Sequence, residues 1–173
     1  MIHLINGNGQ LGEALRASIK KIQATEDVYI YHTWNIDKKD WDSQEAEYNK
    51  FVEFVKVNKK SRIIFISTAS NTDSWYTHYK QLAEAHLLQN SNQALVVRLP
   101  ILIGKGPVRN FTEPTCKAFG IMEICSLEEA CAYILDKVGY NGLVKCHTLA
   151  GERVTATTVK EIVLQTNNYK EFI

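Results

Sequence analysis

The segment that most constrains the fold is a short apolar run that leads through a glycine-rich turn into a helix-forming stretch. The apolar run is Ile2–Ile5, and the helical pattern covers Leu11–Lys21. The turn that joins them consists of Asn6, Gly7, Asn8, Gly9, Gln10, Leu11 and Gly12, and its last two residues also begin the helical pattern. Glycines at this spacing let the backbone turn sharply and approach a ligand, while the helix N-terminus attracts an anion. The pattern predicts a phosphate or pyrophosphate site, with a purely structural turn as the alternative.

Apolar runs and helical stretches alternate along the whole sequence. The predicted strands are Ile2–Ile5, Val28–Tyr31, Ile63–Ser67, Ala94–Leu99 and Leu143–Leu149. The predicted helices are Leu11–Lys21, Ser43–Val57, Trp75–Gln89, Leu127–Val138 and Thr157–Thr166. This alternation is typical of parallel strands joined by crossover helices, so the sequence predicts an α/β fold. The segment from Pro100 to Glu123 holds all three prolines and is predicted to be an irregular loop that covers a ligand.

Composition limits the number of domains and the class of partner. With 173 residues the chain can build one domain with a sizeable core. A net charge of +1 argues against nucleic acid or an anionic membrane as the main partner. No apolar run reaches the roughly 18 residues of a membrane span, so we expect a cytoplasmic protein. The four cysteines lack the paired spacing of a metal site, and no metal is expected.

Polar side chains follow the third predicted strand and open the next helix. Ser67 and Thr68 end the strand, and Tyr76 and Lys80 lie one helical turn apart. A nearby ammonium lowers the pKa of a phenol, so this group is suited to acid–base work on a carbonyl or alcohol. Tyr133 and Lys137 have the same spacing but follow no such strand end, so position rather than spacing favours Tyr76. A plain helix start is the alternative.

These residues together resemble the short-chain dehydrogenase/reductase superfamily. The resemblance is to its extended and atypical branches, which include NAD-dependent epimerases and dehydratases and dTDP-4-dehydrorhamnose reductase. The glycines match the phosphate loop, although the extended branch usually has glycine where Asn6 stands. Ser67 or Thr68 falls on the family's hydroxyl position, and Tyr76 and Lys80 fall on its Tyr-x-x-x-Lys motif. Val97-Arg98-Leu99-Pro100, with Gly104 and Gly106, is similar to the family segment after the catalytic helix.

The resemblance implies a Rossmann-like, doubly wound parallel sheet with a reduced number of strands. Residues 1–173 would form a single domain that binds NAD or NADP, with about 100–173 as a minimal substrate-side region. The implied catalytic residues are Tyr76, Lys80, Thr68 and Ser67. The implied cofactor-binding residues are Asn6 to Gly12, His32, Thr33, Arg98 and Pro100. The implied reaction interconverts a carbonyl and an alcohol of a small molecule, such as a nucleotide sugar, in a homodimer that pairs through the helices Ser43–Val57 and Trp75–Gln89.

The chain is shorter than members of the extended branch. Only about sixty positions separate Gly7 from Ser67, where the family fits two further strands. One interpretation takes Val28–Tyr31 as the family's third strand, with the second deleted. The other takes it as the second strand, which places His32 and Thr33 at the end that reads the ribose. The choice between NAD and NADP stays open, and so does the partner of Arg98, a phosphate or a buried carboxylate. The shortening also favours an alternative function, a non-catalytic dinucleotide-binding or partner-binding subunit.

Overall fold

The computed structural model describes residues 1–168 except Asn8, Lys21, Gln23 and 104–119. The strands in this part of the chain are β1 Ile2–Ile5, β2 Val28–Tyr31, β3 Arg62–Thr68, β4 Ala94–Leu99, β5 Ile101–Ile103, β6 Ile121–Ser126, β7 Cys146–Thr148 and β8 Glu152–Thr155. The helices are α1 Gln10–Ile19, α2 Trp41–Asn58, α3 Trp75–Asn90, α4 Leu127–Asp136 and α5 Ala156–Asn168. The predicted bounds of β1, β2 and β4 are confirmed without change, and all five predicted helices are present.

Five strands form a parallel sheet in the order β1-β2-β3-β4-β7. The predicted α/β class is therefore confirmed. Helices cover both faces of this sheet. On one face, α1 and α4 contribute Leu15 and Ile134 to the core; on the other, α2 and α3 contribute Phe51 and Leu87. The strands in the middle are buried on both sides, which explains their continuous apolar runs.

A second, three-stranded sheet in the order β5-β6-β8 corrects part of the sequence analysis. The segment from Pro100 to Glu123 was expected to be irregular, but β5 lies within it and β6 begins there. Residues 104–119 of that segment lie outside the described residues. The short strands are stabilised by tertiary contacts, since Ile101, Ile124 and Val154 pack against the buried Val159 of α5. Their length of three to six residues leaves little periodicity to recognise in the sequence.

The order of the large sheet shows which strands are missing. In the common doubly wound order 3-2-1-4-5-6 the first strand is internal, with the second on one side and the fourth on the other. Here β1 is an edge strand, and β2, β3 and β4 follow it in sequence on the same side. The strand β2 therefore takes the position of a fourth strand. Both interpretations of Val28–Tyr31, as a second or a third strand, are wrong.

The faces on which the helices lie support this assignment. The connections β1–α1–β2, β2–α2–β3 and β3–α3–β4 all step across the sheet in the same direction. However, α1 lies on the opposite face from α2 and α3, so the first crossover has the opposite hand to the next two. Crossovers between parallel strands are right-handed in nearly all proteins. The exception is explained if α1 is the helix that, in the common order, leads to the second strand on the other side of β1. In this chain α1 keeps its face of the sheet but leads to β2 instead.

Candidate functional site

The glycine turn after β1 is closely packed. Asn6 has a φ of 53°, a left-handed conformation that asparagine adopts more readily than most residues. This explains how Asn6 can stand where the extended branch usually has glycine. A Cβ added at Gly12 would lie 2.5 Å from the Cα of Gly7, and one added at Gly7 would lie 2.5 Å from Cδ2 of Leu4. Glycine at positions 7 and 12 thus lets α1 pack directly on the turn.

Gly9 differs from these two glycines because it has open space around it. Apart from the chain neighbours, a Cβ added there would meet no atom of a described residue within 4 Å, and Gly9 caps the N-terminus of α1 without a side-chain hydrogen bond. Leu11, in the first turn of α1, is part of the core. Gln10 begins the helix, and Asn8 lies outside the described residues. Gly9 is therefore where a ligand could approach the backbone closely.

The side chains that follow β2 have different surroundings. Register pairs Tyr31 with Ile5 on one side and Phe65 on the other, so His32 follows between the first and third strand ends. His32 Nε2 is buried and has no hydrogen-bond partner among the described residues. Burial, with a smaller contribution from the charge of Lys80, lowers the pKa of His32 to about 4, so the ring is neutral at pH 7. Thr33 Oγ1 instead donates to the Ile5 carbonyl at 2.8 Å and fastens β2 to β1.

The two hydroxyls at the end of β3 also separate in role. Thr68 Oγ1 accepts a hydrogen bond from the amide of Ser70 at 3.0 Å and so stabilises the turn after the strand. The Ser67 side chain is buried, and its Oγ has no hydrogen-bond partner in the part of the chain that the structure describes. The sequence alone does not decide which of Ser67 and Thr68 occupies the family's hydroxyl position. The unpaired Ser67 hydroxyl makes it the better candidate to orient a ligand.

Tyr76 and Lys80 lie in the first two turns of α3, which begins after the N-cap Ser74. Lys80 Nζ donates to the Ile66 carbonyl at 2.8 Å. It also lies 4.6 Å from the ring centroids of Trp34 and Phe65 and 6.0 Å from that of Tyr76. The ammonium is therefore closer to Trp34 and Phe65 than to the ring of Tyr76.

Burial shifts the pKa of both Tyr76 and Lys80. It raises the pKa of Tyr76 to about 12 and lowers the pKa of Lys80 to about 7, although the charges of Glu84 and Glu47 partly offset the shift of Lys80. The Tyr76 hydroxyl makes no hydrogen bond to any described residue. At neutral pH the phenol is thus protonated, while Lys80 divides between its charged and neutral forms.

Arg98 at the end of β4 has a protein partner. Its guanidinium forms a bidentate pair with the buried carboxylate of Glu84, with Nε 3.1 Å from both oxygens. Of the two partners left open by the sequence, the structure therefore provides the carboxylate. The Arg98 guanidinium is therefore engaged by a protein carboxylate rather than free to bind a phosphate. Pro100 is buried and lies next to Gly151, which places it in the join between the two sheets.

Two residues near the site, Arg16 and Gln44, were not recognised from the sequence. Arg16 follows Gly12 by one helical turn, and its Nη2 lies 3.2 Å from the position of a Cβ on Gly7. Trp34 is buried and donates to Gln44 Oε1 at 2.7 Å, so the loop after β2 is anchored to α2. The i, i+4 relation between Gly12 and Arg16 was a signal in the sequence, because side chains at that spacing share a helix face. No comparable signal pointed to Gln44.

A cavity of about 370 Å³ lies at the opposite edge of the sheet. It is lined by residues that precede or begin the strands, including Glu26, Arg62 and Lys145. The Arg62 guanidinium donates to Asn141 Oδ1 and to the carbonyls of Lys137 and Tyr140. Arg62 therefore ties β3 to the segment before β7, and the candidate site remains the edge that carries the glycine turn.

Among the described residues, no three histidine, cysteine or acidic side chains are close enough to hold a metal ion. In the same part of the chain, no helix combines the length and the apolar character needed to cross a bilayer.

Solved structures share the fold described above. The enzyme WbmG from Bordetella bronchiseptica, in complex with NAD, is 17% identical and has a TM-score of 0.70 over 95% of this chain and 77% of that chain. UDP-N-acetylglucosamine 4-epimerase from Bacillus cereus is 13% identical, with a TM-score of 0.70 over 92% of this chain and 81% of the other. The dTDP-4-dehydrorhamnose reductase from Bacillus anthracis, in complex with NADP, is 14% identical, with a TM-score of 0.71 over 96% and 80%.

No family model and no curated protein matches the sequence. The resemblance inferred from the motifs is confirmed at the level of the fold. This chain has the Rossmann-like fold found in a nucleotide-sugar epimerase and a dTDP-4-dehydrorhamnose reductase.

Proposed function

We propose that this protein binds NAD or NADP and uses it to interconvert a carbonyl and an alcohol on a small molecule, with a nucleotide sugar as the candidate substrate class. The observation that carries the proposal is that Ser67, Tyr76 and Lys80 lie at the edge of the sheet that carries the glycine turn, where Ser67 Oγ and His32 Nε2 are buried and have no hydrogen-bond partner among the described residues. Buried polar atoms without a partner are uncommon and fit a site that a ligand completes.

The residues present fit a nicotinamide dinucleotide. The open space at Gly9 allows a pyrophosphate to reach the N-terminus of α1, where amides lack intrahelical partners. The side chains of Ser67 and His32 could form hydrogen bonds with polar groups of the cofactor. When bound, the nicotinamide supplies or accepts the hydride. The NAD and NADP in the similar structures support this choice of cofactor.

Tyr76 is proposed as the proton donor or acceptor for the reacting oxygen. Because burial keeps the phenol protonated at neutral pH, the arrangement favours donation of the Tyr76 proton to a carbonyl oxygen, the reductive direction. Ser67 would hold that oxygen through its hydroxyl. Lys80, when charged, lowers the cost of the phenolate that remains.

A non-catalytic binding subunit is the second candidate, and Lys80 is the observation that favours it. Its ammonium is already bonded to the Ile66 carbonyl, and its pKa near 7 leaves it only partly charged at neutral pH. A lysine in this state supports a phenolate less than a fully charged one. Such a subunit would bind the cofactor without turnover.

The homodimer stays a prediction. It is supported by exposed aromatic side chains on α2 and α3: Trp41 and Trp75 are 43% and 45% exposed, and their rings lie 4.5 Å apart. Leu82 on α3 is also exposed. Surface of this kind is typical of protein–protein contacts.

The decisive experiment combines a binding titration with a matched pair of variants. NADH and NADPH are titrated by nicotinamide fluorescence and thermal stability, because a ligand of the native state raises apparent stability. Turnover is then measured with a panel of carbonyl substrates that includes nucleotide-linked keto sugars. We expect Tyr76→Phe to bind cofactor normally and to lose at least about 100-fold in turnover.

The control is Tyr133→Phe, which removes a hydroxyl at the same Tyr-x-x-x-Lys spacing but outside the site. Tyr133 donates only to the Thr148 carbonyl, so turnover should be unchanged. Cofactor binding without turnover of any substrate would select the non-catalytic subunit. Absence of binding at millimolar cofactor would contradict both candidates.

A further inference from the structure

Because β1 forms the edge of the large sheet, this site can contact only part of a dinucleotide. If the proposed function holds, on which this inference rests, the reacting ring of the cofactor would lie beside Tyr76 on α3. The pyrophosphate would then lie at Gly9, where β1 meets α1. With the nicotinamide half over the ends of β2 and β3, the adenosine half must extend in the opposite direction, past β1.

Nothing in the described part of the chain forms a strand beyond β1. This strand pairs with β2 alone, through Ile2–Ile5 and Val28–Tyr31. In doubly wound folds a second strand lies there and ends in the carboxylate that binds the adenosine ribose, or near a basic residue that accepts the 2′-phosphate of NADP. Among the described residues, no such strand is present to carry either group.

The part of the site at the ends of β2 and β3 does contain polar groups. His32 Nε2 and Ser67 Oγ, at the ends of β2 and β3, are buried and have no hydrogen-bond partner in the described part of the chain. Arg16 is exposed, has no ion-pair partner within the described ranges, and has its Nη2 against the turn at Gly7. Its charge also makes a small contribution to the low pKa of His32. A guanidinium beside a glycine turn is well suited to a phosphate.

We infer that the site recognises the nicotinamide mononucleotide half of the cofactor, with Arg16 on its phosphate, and leaves the adenosine half unread. It follows that the protein does not discriminate NADH from NADPH. It also follows that the mononucleotide alone binds nearly as well as the dinucleotide.

Four ligands test this inference on the purified full-length protein: NADH, NADPH, reduced nicotinamide mononucleotide and ADP-ribose. Dissociation constants are measured by calorimetry. We expect NADH and NADPH to agree within about threefold, the mononucleotide to bind within about tenfold of NADH, and ADP-ribose to bind more than about tenfold more weakly than NADH.

Arg16→Met provides an independent readout. It should weaken NADH and the mononucleotide by a similar factor of about ten, since one charge-assisted contact to phosphate is lost from each. The control is Lys20→Met, an exposed cation at the C-terminal cap of the same helix, which should change neither constant. An unchanged affinity in Arg16→Met would overturn the role of this residue.

The outcomes separate the inference from the function on which it rests. If NADH binds and the mononucleotide is more than about tenfold weaker, or ADP-ribose binds as well as NADH, the inference is wrong and the proposed function stands. A clear preference for NADH over NADPH, or the reverse, would also overturn the inference. If none of the nicotinamide ligands binds, the proposed function itself fails.

Discussion

The glycine turn and the group around Tyr76 and Lys80 lie on the same edge of the sheet, but different kinds of contact shape them. The turn is shaped by the backbone, with Gly12 against Gly7 and a left-handed Asn6 between the strand and the helix. The group on α3 is shaped by side chains, whose direction depends on tertiary neighbours such as Trp34.

This difference explains which properties a motif can predict. Glycine spacing specifies a close backbone approach directly, because a Cβ would collide. A Tyr-x-x-x-Lys spacing specifies only that two side chains share a helix face. The bond from Lys80 to the Ile66 carbonyl and the pKa shifts of both residues depend on burial, which the spacing does not contain.

The largest expected effect concerns the turn. Gly12→Val places a side chain against the Gly7 backbone, so we expect the free energy of unfolding to fall by about 3 kcal/mol. Gly9→Val is the matched control: apart from its chain neighbours, no described residue lies within 4 Å of an added Cβ, so the loss should be no more than about 1 kcal/mol, from the poorer N-cap residue. Urea unfolding of both variants measures the difference. Equal losses in the two would mean that the turn is not closely packed.

A smaller effect is expected at the other end of the site, where side chains rather than backbone make the contact. Arg98→Met leaves the buried carboxylate of Glu84 without its partner. The loss should be about 2 kcal/mol, below the value for a fully buried pair because the Arg98 side chain is 40% exposed.

Arg153→Met is the control for this prediction. Arg153 faces Glu123 at 4.0 Å, and both side chains are at least half exposed, so the change in unfolding free energy should stay below about 0.5 kcal/mol. A double variant, Arg98→Met with Glu84→Leu, should recover part of the loss because no charge is then left buried. Chemical denaturation of the three proteins checks the order, and an Arg98→Met variant as stable as the control would contradict the pairing argument.

The same contrast between local and tertiary information governs how much of the fold was predictable. The bounds of β1, β2 and β4 were predicted because buried parallel strands consist of uninterrupted apolar runs. The order of the strands was not, since the sequence near Val28 does not encode which strand lies beside it. The small sheet was missed because β5 and β8 have three and four residues and are stabilised by packing on Val159.

Within the site, residue positions were predicted better than residue roles. Ser67 lies at the end of β3 and Tyr76 and Lys80 lie at the start of α3, on the edge of the sheet that carries the glycine turn, and their catalytic roles stay predictions. The resemblance implied that Thr33 contacts a cofactor, and it left the partner of Arg98 open between a phosphate and a carboxylate. The structure pairs Thr33 with the Ile5 carbonyl and Arg98 with Glu84. Short polar motifs do not predict such pairings, because the partners come from other elements of the fold.

The smallest effect follows from the burial of Lys80 and is read out as a dependence on pH. Its pKa is about 7 in the folded protein against an ordinary 10.5, so above pH 7 the unfolded state binds more protons than the folded state. Stability from this residue therefore rises with pH, by about 1 kcal/mol between pH 7 and pH 8. Lys80→Met lacks this contribution, so wild type should gain that amount relative to the variant over the same interval.

Lys56→Met removes a lysine that is 73% exposed and should leave the pH dependence of wild type intact. Denaturant unfolding of the three proteins at both pH values measures the difference, and parallel curves for wild type and Lys80→Met would show that the ammonium is solvated rather than enclosed by Trp34 and Phe65.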